Sequence, residues 1–368
     1  MNIPQYAPTI SEEDINSVNN YMKSGGFITE FRQSRKFEEY LAQYCKCDNA
    51  ILFPNGTLTM YAIIKCLNLK DSDKVLVPNF TMAATAFAPL VANYNIKFVD
   101  IEYPQLTLNL EIIKRELDND PTIKVIMLVS ANGREPSCGI EKILNFCKSK
   151  DLYLIEDAAQ GLGSNYKNGK PVGSLSFASS ISFSMPKIIT TGQGGVVLTN
   201  NKDFEKKLRS FRDFGRTESG NDLHHNVGLN LKFTDLQATL GISQLSQIDQ
   251  KIKNKKNIYN IYKSNIKSDY VKVISNPENV TPWFIEVLSK YRDELKSYLA
   301  SFQIGTRVMY PPLNKQNAFK SHPQNNITFP ISEMIGECGL WLPSFAHLTN
   351  EEIKFIISKI NKFKPKNI

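Results

Sequence analysis

The sequence predicts an α/β fold with a mostly parallel mixed sheet in a large domain and a smaller C-terminal α+β domain. Short apolar runs alternate with amphipathic helical segments between residues 50 and 155. The apolar runs are continuous, which is typical of strands covered on both faces of a parallel sheet. A long helical segment follows, and a shorter α+β region closes the 368-residue chain. We place the boundary near residue 245, giving domains 1–245 and 246–368.

Each predicted element follows from its local pattern. Ser11-Glu-Glu-Asp14 is typical of a capped helix start, and this helix runs to Met22. Helical spacing returns between Phe37 and Tyr44. The predicted strands cover residues 51–53, 74–78, 96–99, 123–129 and 152–155, with a further apolar segment at 177–183. The predicted helices cover residues 58–67, 82–92, 110–117, 140–148 and 234–263.

Composition argues against several classes of protein. The net charge of +8 comes from scattered lysines, without an arginine-rich arm or a zinc pattern, so nucleic acid is not the expected partner. A small acidic substrate suits this modest positive field better. The six cysteines form no CxxC pair, and His224-His225 has no companion ligands, so we expect reduced thiols and no metal site. No apolar run is long enough to span a membrane, and we expect a cytoplasmic protein.

An acid and a lysine follow two neighbouring strands of the predicted sheet. The apolar run at 152–155 ends in Glu156-Asp157, and the segment at 177–183 leads to Lys187 and a glycine-rich turn. Ligands bind at the carboxyl edge of such sheets. A lysine amine that forms a Schiff base and a carboxylate that pairs with a pyridine nitrogen are the two groups that pyridoxal phosphate requires. Ser182 could offer a hydroxyl group to the phosphate.

Two further segments fall at the same predicted edge. Asn55-Gly56-Thr57 stands between the first strand and its helix, where free amides and a hydroxyl group can bind an anion. Phe80 follows the second strand and could stack on a planar cofactor. The alternatives are an ordinary capped helix and a core phenylalanine.

With these residues assembled, the chain resembles the DegT/StrS-type sugar aminotransferases, a branch of the aspartate aminotransferase type I fold. The resemblance covers nearly the whole chain and rests on several motifs in the same order. The most specific motifs are Ile155-Glu-Asp-Ala-Ala-Gln-Gly-Leu-Gly-Ser-Asn-Tyr166, Val172-Gly-Ser174, Ser182-Phe-Ser-Met-Pro-Lys187 and Thr191-Gly-Gln-Gly-Gly195. Supporting matches are Asn55-Gly-Thr57, Val77-Pro-Asn-Phe-Thr81, Gly228-Leu-Asn230, Thr306-Arg-Val-Met-Tyr-Pro-Pro312 and Leu342-Pro-Ser-Phe345.

The resemblance implies a role for each matching residue. Lys187 would be the Schiff-base lysine and the group that moves the proton, Asp157 would pair with the pyridinium nitrogen, and Gln160 would lie beside the cofactor oxygen. The implied phosphate ligands are Gly56, Thr57, Ser182 and Asn230, the last from the second subunit of a homodimer with shared active sites. Arg307, Tyr310 and Thr29 are candidates for substrate contact, and for Arg307 and Tyr310 a structural role at the domain interface is the alternative.

The implied reaction moves the amino group of L-glutamate to the 4-keto carbon of a nucleotide-linked 4-keto-6-deoxyhexose. The product would be of the dTDP-4-amino-4,6-dideoxyglucose or GDP-perosamine type, made for surface polysaccharide such as O-antigen. The segment Lys187-Ile-Ile-Thr-Thr-Gly192 resembles perosamine-synthase-like C4 enzymes. A lysine at this position argues against the dehydratase branch, which carries histidine there.

Two alternatives remain open at the level of sequence. One is C3 amination of a nucleotide 3-keto sugar, and the other is a non-catalytic regulator that binds pyridoxal phosphate. A dinucleotide-dependent oxidoreductase would need Gly-x-Gly-x-x-Gly after the first strand, which Asn55-Gly-Thr57 does not supply. The chain departs from the family pattern at Gln193, at Lys232 and in the segment Ser130 to Pro136, where sugar and partner contacts are expected.

Overall fold

The computed structural model describes residues 2–218 and 222–366 and contains two β-sheets flanked by helices. The predicted α/β class is confirmed. The strands of the first sheet are β1 (Asn49–Phe53), β2 (Lys74–Pro78), β3 (Asn95–Val99), β4 (Ile123–Val129), β5 (Tyr153–Asp157), β6 (Ala178–Ser182) and β7 (Gly195–Thr199). The strands of the second sheet are β8 (Lys272–Val273), β9 (Ile285–Leu288), β10 (Arg307–Val308) and β11 (Gly339–Leu342).

The helices fall close to the predicted segments in the first half of the chain. Those before β7 are α1 (Glu12–Lys23), α2 (Arg32–Cys45), α3 (Gly56–Cys66), α4 (Ala84–Val91), α5 (Leu110–Asn119) and α6 (Ile140–Ser149). Those after β7 are α7 (Lys202–Arg212), α8 (Asp235–Ser246), α9 (Ile248–Asn265), α10 (Arg292–Ser301), α11 (Pro330–Cys338) and α12 (Asn350–Lys362). The α1 start has the predicted reciprocal cap, in which Ser11 and Asp14 bond each other's backbone N–H groups.

The seven-stranded sheet has the order β1-β7-β6-β5-β4-β2-β3. Strands β2 to β6 pair in parallel, while β7 runs antiparallel to both of its neighbours, β1 and β6. The prediction of a mostly parallel mixed sheet is therefore confirmed. The carboxyl ends of β1, β2, β4, β5 and β6 meet at one edge, and β7 begins there. This edge is where the chemically important side chains collect.

Both faces of the large sheet are buried because side chains on a strand alternate between faces. In β1, Ile51 and Phe53 join one hydrophobic cluster, whereas Ala50 and Leu52 join the cluster on the opposite face. Helices α3, α4 and α7 contact the sheet and one another on the first of these faces. Burial on two faces explains why the strands appear in the sequence as continuous apolar runs.

The second sheet is antiparallel, with the order β10-β11-β9-β8. Its core includes Leu340 and Leu342 together with residues of α9, α10 and α12. A buried ion pair joins it to the large sheet, because the Arg134 guanidinium after β4 lies 2.6 Å from the Glu286 carboxylate in β9. Trp283, just before β9, belongs to the main core cluster of the large sheet. The second sheet is therefore packed directly against the first.

The predicted helix 234–263 is wrong in one respect, because the structure divides it into α8 and α9 at Gln247. The Gln247 side-chain amide donates to Asp14 in α1 and to the Ser243 carbonyl, at 3.2 and 3.1 Å. The contact with Asp14, 233 positions away in the sequence, docks α1 at the break between α8 and α9. The break lies close to residue 245, and the division of the chain into two domains remains a prediction.

Among the described residues, no helix is both long and apolar enough to cross a membrane. The six cysteines are free thiols, and burial raises the pKa of Cys66 and Cys147 to about 12. Within the same ranges, no group of three His, Cys, Asp or Glu side chains is placed to hold a metal ion.

Candidate active site

A cavity of about 250 Å³ opens at the carboxyl edge of the large sheet. It lies where β1, β5 and β6 end, and the loops after these strands form its walls. The sequence-predicted residues that line it are Gly56, Thr57, Asp157, Gln160, Ser182, Lys187 and Tyr310. Residues separated by more than 250 positions in the chain thus meet at the predicted place.

Asp157 is the last residue of β5, and two hydrogen bonds fix its carboxylate. The Thr85 hydroxyl donates to Oδ2 at 2.6 Å, and the backbone N–H of Ala159 donates to Oδ1 at 3.2 Å. Burial raises the pKa of Asp157, while the hydrogen bond from Thr85 and the charge of Lys187 act in the opposite direction. A buried carboxylate of this kind favours a cationic partner in the cavity.

Lys187 stands on the turn after β6, the strand that pairs with β5 in parallel. Burial lowers the pKa of Lys187 to about 8; the nearby Asp157 carboxylate raises it and the Arg307 guanidinium lowers it further. The Nζ atom also lies 4.2 Å from the centre of the Trp283 ring. An amine with a pKa near neutrality is available both as a nucleophile and as a proton carrier.

The segment that starts α3 forms an anion-binding site. The Asn55 side chain caps the helix by accepting from the Leu58 N–H at 2.9 Å. The N–H groups of Gly56 and Thr57 occupy the first turn, where backbone donors have no partner within the helix and the helix dipole favours negative charge. Ser182 lies next to Gly56, and a Cβ atom added at Gly56 would meet the Ser182 Cβ at 3.0 Å.

Gly195, the first residue of β7, packs against the backbone that forms this anion-binding site. A Cβ atom added there would lie 2.8 Å from the backbone carbon of Asn55 and 2.8 Å from the nitrogen of Gly56. The start of β7 can therefore approach the start of α3 so closely only because residue 195 has no side chain. The glycine-rich turn after Lys187 is thus part of the geometry of the anion-binding site.

Gln160 and Tyr310 line the same cavity from two different loops. The Gln160 Oε1 atom accepts from the backbone N–H of Asn132 at 2.6 Å, which fixes the amide. The Tyr310 ring packs against Phe80 and Trp341, with ring centres 5.8 and 4.8 Å apart, and burial raises its pKa. Both side chains are held in place before any ligand binds.

Four sequence-predicted residues do not line this cavity. Phe80 is 3% exposed and lies in the core under Tyr310, while Met82, two positions later, lines the cavity. Arg307 is exposed, with its guanidinium 5.4 Å from the centre of the Trp341 ring. Thr29 and Asn230 are exposed on segments away from the cavity of their own chain.

The structure adds residues that the sequence interpretation missed. Met82, just after the Val77–Thr81 motif, lines the cavity, as do Ser184 and Gln193, which lie within two of the most specific motifs but had no role at the cofactor site assigned to them. Thr85 supports Asp157 and accepts or donates a hydrogen bond with Thr81 at 2.9 Å, four positions earlier on the same turn. That spacing could have indicated Thr85.

The donor set matches the chemistry of pyridoxal phosphate. An anion-binding helix start, a buried carboxylate and an amine of lowered pKa lie around one cavity, as the phosphate, ring nitrogen and aldehyde of that cofactor require. The fold and the site therefore define a pyridoxal phosphate-dependent enzyme of the type I fold.

Comparison with known proteins gives the family. The model of the DegT/DnrJ/EryC1/StrS aminotransferase family matches residues 8–361, and the chain belongs to this family. GDP-perosamine synthase of Escherichia coli O157:H7 is 32% identical over 366 residues, which cover 98% of each chain. A dTDP-3-amino-3,6-dideoxy-alpha-D-galactopyranose transaminase of Aneurinibacillus thermoaerophilus is 29% identical and covers 94% of each. The structure of Helicobacter pylori PseC, an aminotransferase of pseudoaminic acid biosynthesis, has a TM-score of 0.91 at 23% identity and covers 98% of each chain.

Proposed function

We propose that this aminotransferase moves the amino group of L-glutamate to C4 of a nucleotide-linked 4-keto-6-deoxyhexose. The observation that carries the proposal is the cavity in which Lys187, Asp157 and the α3 helix start converge. The full-length similarity to a GDP-perosamine synthase supports a sugar substrate and C4 as the position aminated. The net charge of +8 suits a substrate that carries a diphosphate.

The cofactor phosphate is assigned to the start of α3. The N–H groups of Gly56 and Thr57 and the hydroxyl group of Ser182 would donate to its oxygens. These donors sit at a rigid strand–helix junction, so binding requires little ordering of the chain. The carboxylate of Asp157 would hold the pyridine nitrogen protonated, and Thr85 keeps the carboxylate oriented towards the cavity.

Lys187 is assigned two tasks, to bind the cofactor covalently and to carry the proton that moves during amino transfer. When bound, the cofactor supplies a carbon that exchanges amino groups and a ring that accepts electrons. Lys187 can take up and release a proton near neutral pH because burial and Arg307 lower its pKa to about 8. Gln160 and Tyr310, fixed by their contacts, would position the cofactor and the substrate beside this amine.

A second candidate is amination at C3 of a 3-keto sugar. The full-length similarity to a transaminase that forms a 3-amino-3,6-dideoxy sugar favours it, although at 29% rather than 32% identity. The two candidates share the cofactor site and differ only in the orientation of the sugar. In either case we propose that the amino sugar is made in the cytoplasm and is used for surface polysaccharide.

We further propose a homodimer in which each active site is shared. A surface formed by residues 27–31 and 222–230 exposes large apolar side chains, with Phe27 64%, Leu223 61% and Val227 93% exposed. Such a surface is favourable only when a partner covers it. Asn230 ends this surface and does not line the cavity of its own chain, which fits a role in the partner's site.

An absorbance experiment tests the function. Purified protein loaded with pyridoxal phosphate should show a visible band that moves to the near-ultraviolet on addition of L-glutamate. Nucleotide 4-keto and 3-keto sugars are then added in turn, and the sugar that restores the visible band identifies the substrate and the carbon aminated. A protein that binds no chromophore, or whose band does not respond to glutamate, would overturn the proposal.

A further inference from the structure

Lys187 borders two adjoining spaces, whose linings also share Ala159, Gln160 and Ser182. On one side is the cavity that contains Asp157 and the start of α3. On the other side is a smaller space of about 40 Å³ that is bordered by Trp283 and Lys255. The cofactor would occupy the first space. The second space is too small for a cofactor, and yet Lys187 borders it directly.

The amine of Lys187 lies against Trp283, which borders the second space. Its Nζ atom lies 4.2 Å from the centre of the Trp283 ring, well within the distance at which an ammonium group is attracted to an indole face. The indole is 7% exposed, so water weakens this attraction little. Tryptophan offers the strongest such face among the aromatic side chains.

The indole is fixed from several directions. Its ring N–H donates to the Pro186 carbonyl at 2.7 Å, across 97 positions of sequence. The Trp283 backbone N–H donates to Asn132 at 2.6 Å, and the Trp283 carbonyl accepts from the buried Lys255 ammonium at 2.5 Å. The ring also stacks on Phe284 with centres 3.9 Å apart. These contacts hold the indole ring in one position and orientation relative to the Lys187 amine.

We propose that Trp283 is the positioning residue for the free form of Lys187 and holds its amine whenever it is not bonded to the cofactor. This inference rests on the proposed function. The lysine would swing between the cofactor side and the Trp283 side, since it borders both cavities. Held on the indole face, the amine stays within reach of the cofactor and away from solvent.

Electrostatics around Lys187 are consistent with such a site. The charged groups that face it are Asp157 from β5, Arg307 from β10 and, across the small cavity, Lys255 from α9. Burial and Arg307 favour the neutral amine, whereas Asp157 favours the ammonium form. The indole face adds a second stabilising contribution for the ammonium form. Without it, the amine should titrate at a lower pH.

The first experiment uses the pyridoxamine phosphate form of the enzyme, in which Lys187 is free. Its reaction with 2-oxoglutarate is followed by the return of the visible band across a range of pH. Trp283→Leu should react about tenfold more slowly, with the pH midpoint about one unit lower, while Trp283→Phe should stay within a few fold of the wild type. Phe319→Leu, a buried aromatic in a different core cluster, serves as the matched stability control.

A second measurement does not depend on turnover. In the same enzyme form, the rate at which an amine-specific acylating reagent labels Lys187 is measured by mass spectrometry. The Leu variant should be labelled several-fold faster than the wild type, because the amine is no longer held against the ring. Equal labelling rates together with an unchanged pH midpoint would overturn the proposal.

A third variant set keeps the experiment decisive if Trp283→Leu does not fold. The chain has two tryptophans, so Trp341→Phe leaves Trp283 as the sole site for fluorinated tryptophan. Fluorine withdraws electron density from the ring face and changes its shape little. The pH midpoint should fall stepwise with the number of fluorine atoms, and a constant midpoint would refute the role of Trp283. If the visible band of the wild type still responds to glutamate, a constant midpoint would refute only the role of Trp283 and not the proposed aminotransferase function.

Discussion

At the scale of single residues, Lys187 combines burial with an unusual electrostatic position. It is surrounded by an acid, a guanidinium group and an indole face, and its pKa is lowered to about 8. The fold must bear the cost of burying an ammonium group there. Lys255 is also buried, but its ammonium group bonds the carbonyls of Trp283 and Ser344. Lys187 instead borders the cavity beside Asp157, which favours a functional role for Lys187.

Replacing this lysine should remove the chemistry without harming the fold. Lys187→Ala should lower the rate of amino transfer by at least about a thousandfold and abolish the visible band of the bound cofactor. Thermal unfolding should show no loss of stability, because the buried ammonium group is unfavourable in the folded state. Lys187→Arg, which keeps the charge, is the control and should be equally inactive. Appreciable turnover by either variant would contradict the assignment.

The lowered pKa also predicts how the reaction depends on pH. In the pyridoxamine phosphate form, Lys187 must be neutral to accept a proton, and below a pKa of about 8 most molecules carry the ammonium form. The rate of the wild-type enzyme with 2-oxoglutarate should therefore rise about tenfold per pH unit between pH 6 and 7.5 and level off above 8. Stopped-flow absorbance measures this directly. A rate that is constant between pH 6 and 9 would exclude Lys187 as the proton acceptor.

The sequence alone was sufficient to predict the placement of Asp157 and Lys187. Both follow short apolar strands, and parallel strands bring their carboxyl ends together. Trp283 could not be predicted in this way, since its contact with Lys187 depends on how two sheets pack. For Phe80 the strand position was informative but the direction of the side chain was not, because the next turn places Met82 at the cavity instead.

At the scale of elements, helix α2 begins without a capping side chain of its own. Its N-cap is Phe31, and the missing acceptor comes from Asp235 at the start of α8. This carboxylate accepts from the backbone N–H groups of Phe31, Gln33 and Ser34 at 2.7 to 2.9 Å. Asp235 thus caps the amino end of α2, whereas α8 is capped by Thr234. No local pattern could have revealed this, since the partners lie more than 200 positions apart.

Removing this charge should destabilise the start of α2 and its packing against α8. Asp235→Asn should lower the free energy of unfolding by about 2–3 kcal/mol at pH 7, measured by urea denaturation. Burial opposes ionisation, but the hydrogen bonds lower the pKa of Asp235 below its usual 3.8. The stabilisation is therefore complete above pH 4 and lost as pH falls through the lowered pKa, so wild type and variant should converge in acid. Asp249→Asn, an exposed acid in the first turn of α9, is the control and should change little.

At the scale of the whole molecule, the proposed homodimer would account for residues that the cavity of a single chain leaves out. The cavity contains Lys187 and Asp157, but Asn230 and the apolar surface beside it face outward. A second copy that covers this surface would bury the apolar side chains and bring its Asn230 to the neighbouring cofactor site. The sequence indicated this arrangement only through family resemblance, because periodicity carries no information about a partner.

Mixing two defective variants tests the shared site. Asn230→Ala should bind cofactor about tenfold more weakly, through loss of one hydrogen bond to the phosphate, and should be nearly inactive at limiting cofactor. Unfolded and refolded together with Lys187→Ala, it should regain about a quarter of wild-type activity, because each mixed dimer contains one intact site. Mixing Lys187→Ala with Asp157→Ala is the control. Those residues belong to one cavity, so no intact site can form, and equal recovery in both mixtures would argue against sharing.

The close contact between Gly195 and the start of α3 limits which residues evolution can accept at position 195. Every possible side chain at that position would collide with the backbone of Asn55 and Gly56, which no rotamer change can relieve. Gly192 lies five residues after Lys187 and three before Gly195 on the same turn. It has a positive φ of 78° and nothing within 4 Å of an added Cβ atom, so asparagine could replace it at modest cost. Gly195 therefore tolerates no substitution because neighbouring backbone atoms fill the space of a side chain. Gly192 is restricted only by its own backbone conformation and could accept asparagine.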